Sequence, residues 1–409
     1  MLPSSMNDQK SSTSTTMEGF VLNDQTTDKL PSRNKKKVEE SITSSSENQS
    51  SSNVNSSSNT DEEGHHGYVK RASSKYDFVK VRVGLESHYY ILSRFIVSRI
   101  LTVIQVKYQD SIKIALELKK TLVDLNLLNI SQEELEKHLF TIIRNYGYGD
   151  QTITRYKLMS LFHHKRVPLL ILVFGTGCVG KSTLATQLGE RLNTPNVVQT
   201  DVVLDLINSF NLNTSKGSSQ AYEKHIPVWF SKFENKTEFL KEYKEQCIFM
   251  KKALQGDIEK CFGDGKSLII EGSHIDPEIY KDLFEKYITK KSEGEEKKEG
   301  IIIPFFISIS NKEEHELFFE QWLSKREHDI NDSRTHTLGH NFDEKLQTLS
   351  QNFQFMQEYY EEVTQNLPYI HKVVINHRRL DETLDALHKC VLDTTFSVVE
   401  KIQESESKN

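Results

Sequence analysis

The chain reads Leu169-Leu-Ile-Leu-Val-Phe174, then Gly175-Thr-Gly-Cys-Val-Gly-Lys-Ser182, then Thr183-Leu-Ala-Thr-Gln-Leu188. The first part is an apolar run with the length of a fully buried strand, and the third part has the apolar spacing of a helix. A glycine-rich turn joins them. A strand, this turn and a helix, in this order, are the signature of a phosphate-binding P-loop. We therefore predict that the chain binds a nucleoside triphosphate, namely ATP with Mg²⁺.

Each residue type in the turn serves this chemistry. Glycines allow backbone N–H groups to point at a phosphate, and the helix N-terminus adds partial positive charge. Lys181 is expected to reach the β- and γ-phosphates, and the Ser182 hydroxyl is expected to bind magnesium. The predicted nucleotide-binding residues are Gly175, Thr176, Gly177, Cys178, Val179, Gly180, Lys181, Ser182 and Thr183.

Two carboxylates follow neighbouring predicted strands. Asp201 comes after strand 196–199, and Glu271 ends strand 267–271. Ligands of parallel α/β sheets bind at the carboxyl ends of the strands, so both side chains are predicted at the site. We assign Lys181, Asp201 and Glu271 as catalytic, and Ser182, Asp201 and Glu271 as metal ligands. In the alternative interpretation Asp201 only caps a helix over residues 202–209, and Glu271 is structural.

Four further residues are candidates for binding an anionic substrate. His274 lies three residues after Glu271, where it either contacts substrate or is a structural loop histidine. Lys325, Arg326 and Arg334 follow the fourth predicted strand, in a region that often forms a lid with phosphate-binding arginines. Taken singly, each of these three is better interpreted as a solvated surface charge, whereas as a group they form a candidate lid. Phe318 and Trp322, four residues apart on one helix, are interpreted as packing residues.

The chain divides into four predicted segments. Residues 1–74 are predicted to be disordered, because residues 41–60 are half serine and contain little that can be buried. Residues 75–164 form a small, mostly helical domain, in which Ser131 and Glu134 form a capping box. Residues 165–400 form an α/β domain with a parallel sheet flanked by helices. Residues 401–409 are a flexible C-terminus. The predicted strands are 169–174, 196–199, 267–271, 302–309 and 371–376.

Composition narrows the function classes. The net charge of −6 argues against general nucleic-acid binding, and the apolar runs are too short to cross a bilayer. The cysteines Cys178, Cys247, Cys261 and Cys390 have no zinc or redox-pair spacing, which indicates a reducing compartment. We predict a cytoplasmic protein. The run Arg33-Asn-Lys-Lys-Lys37 leaves the nucleus as an alternative, and the partners of the tail are unknown.

Seven stretches of the chain resemble a known family. They are Ser87-His-Tyr-Tyr-Ile-Leu-Ser-Arg-Phe95, Ile112-Lys-Ile-Ala-Leu-Glu-Leu-Lys-Lys120, Tyr146-Gly-Tyr-Gly149, Arg155-Tyr-Lys-Leu-Met159, Gly175 to Thr183, Asn196-Val-Val-Gln-Thr-Asp201 and Ile269-Ile-Glu-Gly-Ser-His274. Together they resemble the P-loop proteins related to 2-phosphoglycerate kinase, including the plant low-phytic-acid type. The resemblance covers about half the chain and thins beyond residue 280.

This resemblance implies a kinase that converts 2-phosphoglycerate and ATP to 2,3-bisphosphoglycerate and ADP. It also implies that residues 75–164 are an ATP-cone-like regulatory domain. The serine-rich tail and the charged stretch 290–298 depart from the archaeal pattern. Two alternatives stay open, namely an ATP-binding regulatory protein linked to inositol phosphate (phytate) metabolism and a polynucleotide 5′-kinase.

Overall fold

A computed structural model describes residues 75–85, 88–214, 226–289, 300–327, 338 and 341–406. The predicted disordered tail lies outside the described residues, as do the charged stretch 290–298 and Arg334. In the part of the chain that is described, no helix combines the length and apolar character that crossing a membrane requires.

The N-terminal part is mostly helical, with a small sheet in which the strand Arg82–Gly84 lies between the strands Tyr89–Ile91 and Asn129–Ser131. Its capping box is confirmed, since the Ser131 hydroxyl accepts from the Glu134 backbone N–H and the Glu134 carboxylate accepts from the Ser131 N–H. The alternation of apolar and polar residues over 78–83 predicts a half-buried strand. This prediction is wrong at its start, because a short helix ends at Phe78 and the strand begins only at Arg82. The elements are α1 (Lys75–Phe78), β1 (Arg82–Gly84), β2 (Tyr89–Ile91), α2 (Arg94–Val103), α3 (Tyr108–Asp124), β3 (Asn129–Ser131), α4 (Gln132–Asn145) and α5 (Asp150–His164).

The second part is a five-stranded parallel sheet flanked by helices, as predicted. The strands are β4 (Leu169–Phe174), β5 (Val197–Gln199), β6 (Ser267–Gly272), β7 (Ile301–Ser308) and β8 (His371–Val374). Their order in the sheet is β5-β6-β4-β7-β8, so the P-loop strand β4 is central. The helices are α6 (Lys181–Arg191), α7 (Thr200–Thr214), α8 (Lys236–Asp264), α9 (Lys281–Phe284), α10 (Lys312–Glu327), α11 (Phe342–Gln365) and α12 (Leu380–Glu406). Helix α12 runs into the segment predicted to be a flexible C-terminus.

Strand β4 is apolar throughout because both of its faces are buried. Ile171 and Val173 belong to a core that includes the N-terminal helices, α6 and α12. Leu170, Leu172 and Phe174 point to the opposite core, which includes α8 and α11. A strand that is buried on both faces has a continuously hydrophobic sequence, whereas a half-buried strand alternates apolar and polar residues. The register pairs Val173 with Glu271, which brings the predicted carboxylate to the edge where the P-loop begins.

Helix α8 forms the main cover of the second core. Apolar residues spaced by three and four positions predict one buried face for this helix, and that face is buried along its length. The residues of this face are Phe239, Tyr243, Cys247, Met250, Leu254 and Ile258. The Asn235 side chain caps its first turn. Gly265 ends it in the left-handed region at φ 62°, where a Cβ would lie 2.1 Å from the Arg166 carbonyl oxygen. Only glycine fits this helix end.

Candidate functional site

The P-loop has the backbone geometry that its sequence predicted. Gly175 has φ 151° and Gly180 has φ 81°, both in the region that favours glycine. A Cβ at Gly175 would lie 2.2 Å from the Ile307 carbonyl oxygen, so the loop leaves β4 in close contact with β7. Gly180 precedes α6, and the N–H groups of that helix therefore open toward the loop. A cradle of this shape fits a phosphate group.

Two helices from the C-terminal half support the P-loop from outside. The Phe353 ring of α11 packs against Gly177, and His315 Nε2 of α10 lies 2.9 Å from the Gly177 carbonyl oxygen. Burial lowers the pKa of His315 to about 4, so its ring is neutral and Nε2 carries the proton that it donates. Neither residue was predicted from the sequence, because no local motif marks a side chain that packs on a distant loop.

Replacing Gly177 with alanine is expected to destabilise the protein by about 1–3 kcal/mol through overpacking. The new Cβ would lie 2.4 Å from Phe353 Cζ, and Phe353 is itself held by Phe319. Adding Phe353→Leu should recover part of the loss, because the smaller side chain vacates that space. Urea unfolding of the wild type, both single variants and the double variant measures this coupling. Simple additivity of the two substitutions would contradict it.

Lys181 is buried between the P-loop and the end of β6. Its Nζ donates to the Thr176 carbonyl oxygen at 2.6 Å and to Ser273 Oγ at 3.1 Å. Burial lowers the pKa of Lys181, and the nearby Glu271 and Asp201 carboxylates oppose this shift. An ammonium has three N–H donors, so one remains beyond these two contacts.

Glu271 lies beside Lys181 and contacts the first turn of α6. Its carboxylate is buried and accepts a hydrogen bond from the Ser182 hydroxyl. Burial raises the pKa of Glu271, and the positive charge of Lys181 and the Ser182 hydrogen bond oppose the rise. Two of the three predicted metal ligands are therefore in direct contact.

Asp201 lies in the first turn of α7, which begins at Thr200. The alternative interpretation of Asp201 as the cap of a helix over residues 202–209 is therefore wrong, because that helix starts earlier. Its side chain is 63% exposed, unlike the buried Glu271. Desolvation raises the pKa of Asp201, but the neighbouring His274 ring and Lys181 lower it more, and the net shift is downward. Asp201 is thus an ionised carboxylate that faces solvent.

His274 lies beneath Asp201, with its Nδ1 3.5 Å from Asp201 Oδ1. The ring is 1% exposed and packs on Trp229 at a centroid distance of 4.6 Å. Neither ring nitrogen completes a hydrogen bond with any residue that the structure describes. Trp229 is held in turn by Asn352 Nδ2, which donates to its carbonyl oxygen. In this conformation His274 contacts a predicted site residue and is shielded from a substrate in solution.

The candidate lid residues have separate environments. Arg326, in the last turn of α10, lies 4.4 Å over the Trp322 ring. Its charge contributes to the lowered pKa of Asp201 and opposes the rise in the pKa of Cys178 that burial causes. Arg326 is therefore close enough to act electrostatically on the site, whereas Lys325 is exposed on the same helix. Trp322 stacks on Phe230 at 5.7 Å, which is the packing role expected for it. Arg334 lies outside the described residues.

The oxygen donors fit magnesium in the presence of a nucleotide. Ser182 supplies a hydroxyl, and Glu271 and Asp201 supply carboxylates near the phosphate cradle. Within the described ranges, no group of three or more His, Cys, Asp and Glu side chains forms a metal cluster. Magnesium keeps several waters and binds one or two carboxylates together with substrate phosphates. This donor set fits a magnesium ion that is held partly by the protein and partly by nucleotide phosphates.

Comparison with known proteins gives kinases as relatives. No protein-family model matches the chain. The 2-phosphoglycerate kinase of Methanocaldococcus jannaschii is 25% identical over 228 residues, which cover 56% of this chain and 69% of that enzyme. That of Methanopyrus kandleri is 25% identical over 315 residues, 75% of this chain and 86% of the enzyme. That of Methanococcus maripaludis strain C5 is 28% identical over 206 residues, 48% of this chain and 62% of the enzyme.

Proposed function

We propose that this chain, which belongs to a P-loop kinase family related to these archaeal enzymes, phosphorylates the free hydroxyl of 2-phosphoglycerate with ATP. The products are 2,3-bisphosphoglycerate and ADP. The observation that carries the proposal is the convergence of Lys181, the Ser182–Glu271 pair and Asp201 at the end of the P-loop strand. A protein that only bound ATP as a signal would not need the second, solvent-facing carboxylate.

The triphosphate end of ATP would occupy the cradle formed by residues 175–183. Lys181 supplies a positive charge next to the transferring phosphoryl group, and such preorganised charge is the main source of rate in phosphoryl transfer. Ser182 and Glu271 would hold magnesium, which supplies charge neutralisation at the phosphate oxygens when bound. Because Glu271 is buried and bonded to Ser182, we assign it to the metal side of the site.

Asp201 would face the acceptor. An ionised, exposed carboxylate can accept the proton of an acceptor hydroxyl and orient its oxygen toward the γ-phosphorus. In this step the bond from the acceptor oxygen to the γ-phosphorus forms, and the bond from that phosphorus to the β–γ bridging oxygen breaks. The hydroxyl proton passes to Asp201 and then to solvent, and ADP leaves with the electron pair of the broken bond.

The acceptor carries a carboxylate and a phosphate, so its subsite needs cations. Arg326 is the best-placed candidate, because its charge acts on Asp201 and on Cys178 of the P-loop. Its planar guanidinium can bind a carboxylate or phosphate through two hydrogen bonds. Lys325 and Arg334 remain further candidates for this subsite, whereas His274 would have to leave its buried position to contact the acceptor. Burial raises the pKa of Cys178 to about 11, so this residue adds no negative charge that would repel the substrate.

The acceptor assignment predicts a product that phosphorus NMR can identify. Purified protein is supplied with ATP, magnesium and 2-phosphoglycerate, and we expect the resonances of 2,3-bisphosphoglycerate and ADP to appear together. The matched control is 3-phosphoglycerate, which has the same charged groups with the free hydroxyl and the phosphate exchanged. We expect a much lower rate with this isomer, because catalysis depends on placing the hydroxyl in line with the phosphorus.

Other outcomes of the same assay would assign a different function. Phosphorylation of inositol phosphates alone would contradict 2-phosphoglycerate as acceptor and shift the protein to that substrate class. Phosphorylation of an oligonucleotide 5′-hydroxyl alone would indicate a polynucleotide kinase. Release of ADP without any phosphorylated product would indicate an ATPase or an ATP-binding regulator.

A further inference from the structure

The segment that follows Glu271 is held by tyrosine hydroxyls from two helices. It begins with Gly272, Ser273 and His274, and Ser273 Oγ is one of the two acceptors of the Lys181 ammonium. Three residues later, the buried Asp276 carboxylate accepts from the Tyr359 hydroxyl at 3.0 Å to each oxygen. The backbone of this segment therefore determines where the Ser273 hydroxyl faces.

Tyr243 of α8 and Tyr360 of α11 meet at this backbone. Their hydroxyl oxygens are 2.6 Å apart, and both lie within hydrogen-bond distance of the Ser273 carbonyl oxygen, at 3.0 Å from Tyr243 and 3.2 Å from Tyr360. Tyr360 also reaches the Ile275 carbonyl oxygen at 3.3 Å. Both tyrosines are completely buried, and burial raises the pKa of each well above its usual range, so both hydroxyls keep their protons.

Either tyrosine can donate the hydrogen bond to the Ser273 carbonyl oxygen, because each hydroxyl has one proton. Two hydroxyls have two protons, of which one serves the bond between them and the other serves a backbone carbonyl. The Cys247 thiol also bonds Tyr243, but a thiol is a weak donor and acceptor and does not change this count. If either tyrosine loses its hydroxyl, the other still donates to the Ser273 carbonyl. If both tyrosines lose their hydroxyls, the buried Ser273 carbonyl loses both tyrosine donors, and an unsatisfied buried carbonyl destabilises the local backbone.

The Ser273 contact matters because Lys181 has only three N–H donors. The Thr176 carbonyl and Ser273 Oγ accept two of them, one from the P-loop and one from the β6 side. These two contacts fix the direction of the third N–H, which is left for a phosphate oxygen. A shift of the Ser273 backbone would rotate the ammonium away from that direction.

We propose that Tyr243 and Tyr360 are positioning residues that act through Ser273 to orient Lys181 for phosphoryl transfer. The proposal rests on the proposed function only in taking Lys181 as the group that stabilises the transferring phosphoryl. It does not depend on which acceptor is used. The two tyrosines form a redundant pair, so their effect on catalysis is strongly non-additive.

The test is a double-mutant cycle on kcat with Tyr243→Phe, Tyr360→Phe and the double variant. Each single variant is expected to stay within about threefold of the wild type, because the remaining hydroxyl still serves Ser273. The double variant is expected to lose about tenfold to a hundredfold in kcat, as misplacement of a catalytic group does. Tyr280→Phe is the matched control, since Tyr280 is equally buried but its hydroxyl has no hydrogen-bond partner among the described residues.

The same tyrosine substitutions made in a Ser273→Ala protein distinguish a positioning role of the tyrosines from a general loss of packing. In a Ser273→Ala protein the tyrosines have no hydroxyl to orient toward Lys181, so the double Phe substitution is expected to lower kcat no further. Melting temperatures are measured for every variant. An additive cycle, a loss equal to that of Tyr280→Phe, or a full loss of kcat in the Ser273→Ala background would each overturn the proposal.

The same series distinguishes this inference from the acceptor assignment. Each variant is also assayed for ATP hydrolysis without acceptor and for affinity toward a fluorescent ATP analogue. If the wild type does not phosphorylate 2-phosphoglycerate but the non-additive loss appears in hydrolysis or affinity, only the acceptor assignment is overturned. If 2-phosphoglycerate is phosphorylated and the cycle is additive, only the positioning role is overturned.

Discussion

Replacing Lys181 with alanine is expected to lower the rate of phosphoryl transfer by about a hundredfold to a thousandfold. The ammonium is held within the site by Thr176 and Ser273, and its charge is only partly screened because the side chain is buried. Alanine removes this charge and leaves the P-loop backbone able to hold a phosphate. The loss should therefore appear mainly in kcat, measured under saturating ATP.

Two controls make the Lys181 result specific. Lys181→Arg keeps a positive charge but changes the donor geometry, so it should restore only part of the rate. Lys252→Ala removes a lysine from the exposed face of α8 and should leave the rate unchanged. Because Lys181 is buried rather than exposed, a melting curve of each variant must accompany the kinetics. A folded Lys181→Ala protein with the wild-type rate would contradict phosphoryl transfer at this site.

The parts of the site that could be predicted from sequence are those encoded locally. The P-loop is a contiguous motif whose glycines have the conformations that it requires. Glu271 and Asp201 could be predicted because the carboxyl ends of parallel strands share one edge of the sheet. The register of β6 against β4 places Glu271 there, and all five predicted strands are present in the parallel sheet.

The supporting residues could not be predicted because their roles depend on long-range packing. His315 is 138 residues from its partner Gly177, and Tyr360 is 87 residues from Ser273. A buried tyrosine has the same local sequence pattern whether its hydroxyl bonds a catalytic segment or, as for Tyr280, has no hydrogen-bond partner in the described part of the chain. Similarly, the sequence alone did not distinguish between Asp201 as a helix cap and Asp201 as a site residue. Because α7 begins at Thr200, Asp201 lies inside the helix and is not its N-cap.

Replacing each of the two carboxylates by its amide is expected to change a different kinetic property. Asp201→Asn should lower kcat by about a hundredfold or more, the usual contribution of a positioned general base, while the KM for ATP stays near the wild-type value. Glu271→Gln should raise the magnesium concentration needed for half-maximal rate, because an amide is a weaker ligand than a carboxylate. Magnesium titrations at saturating ATP, with and without acceptor, separate these two effects.

The stability of the Glu271→Gln protein provides an internal check on its kinetics. Burial raises the pKa of Glu271, so in the wild type this group favours unfolding increasingly as the pH rises from its ordinary pKa to the raised one. Glutamine carries no charge, so this unfavourable contribution to stability disappears. At the same time the buried Lys181 ammonium loses a neighbouring anion that offsets the cost of its desolvation. The two effects oppose each other, so the free energy of unfolding should change by about 1 kcal/mol or less and the melting temperature by only a few degrees.

If both amide variants bound magnesium and turned over normally, Asp201 and Glu271 would be structural, and the acceptor hydroxyl would have to be activated by another group.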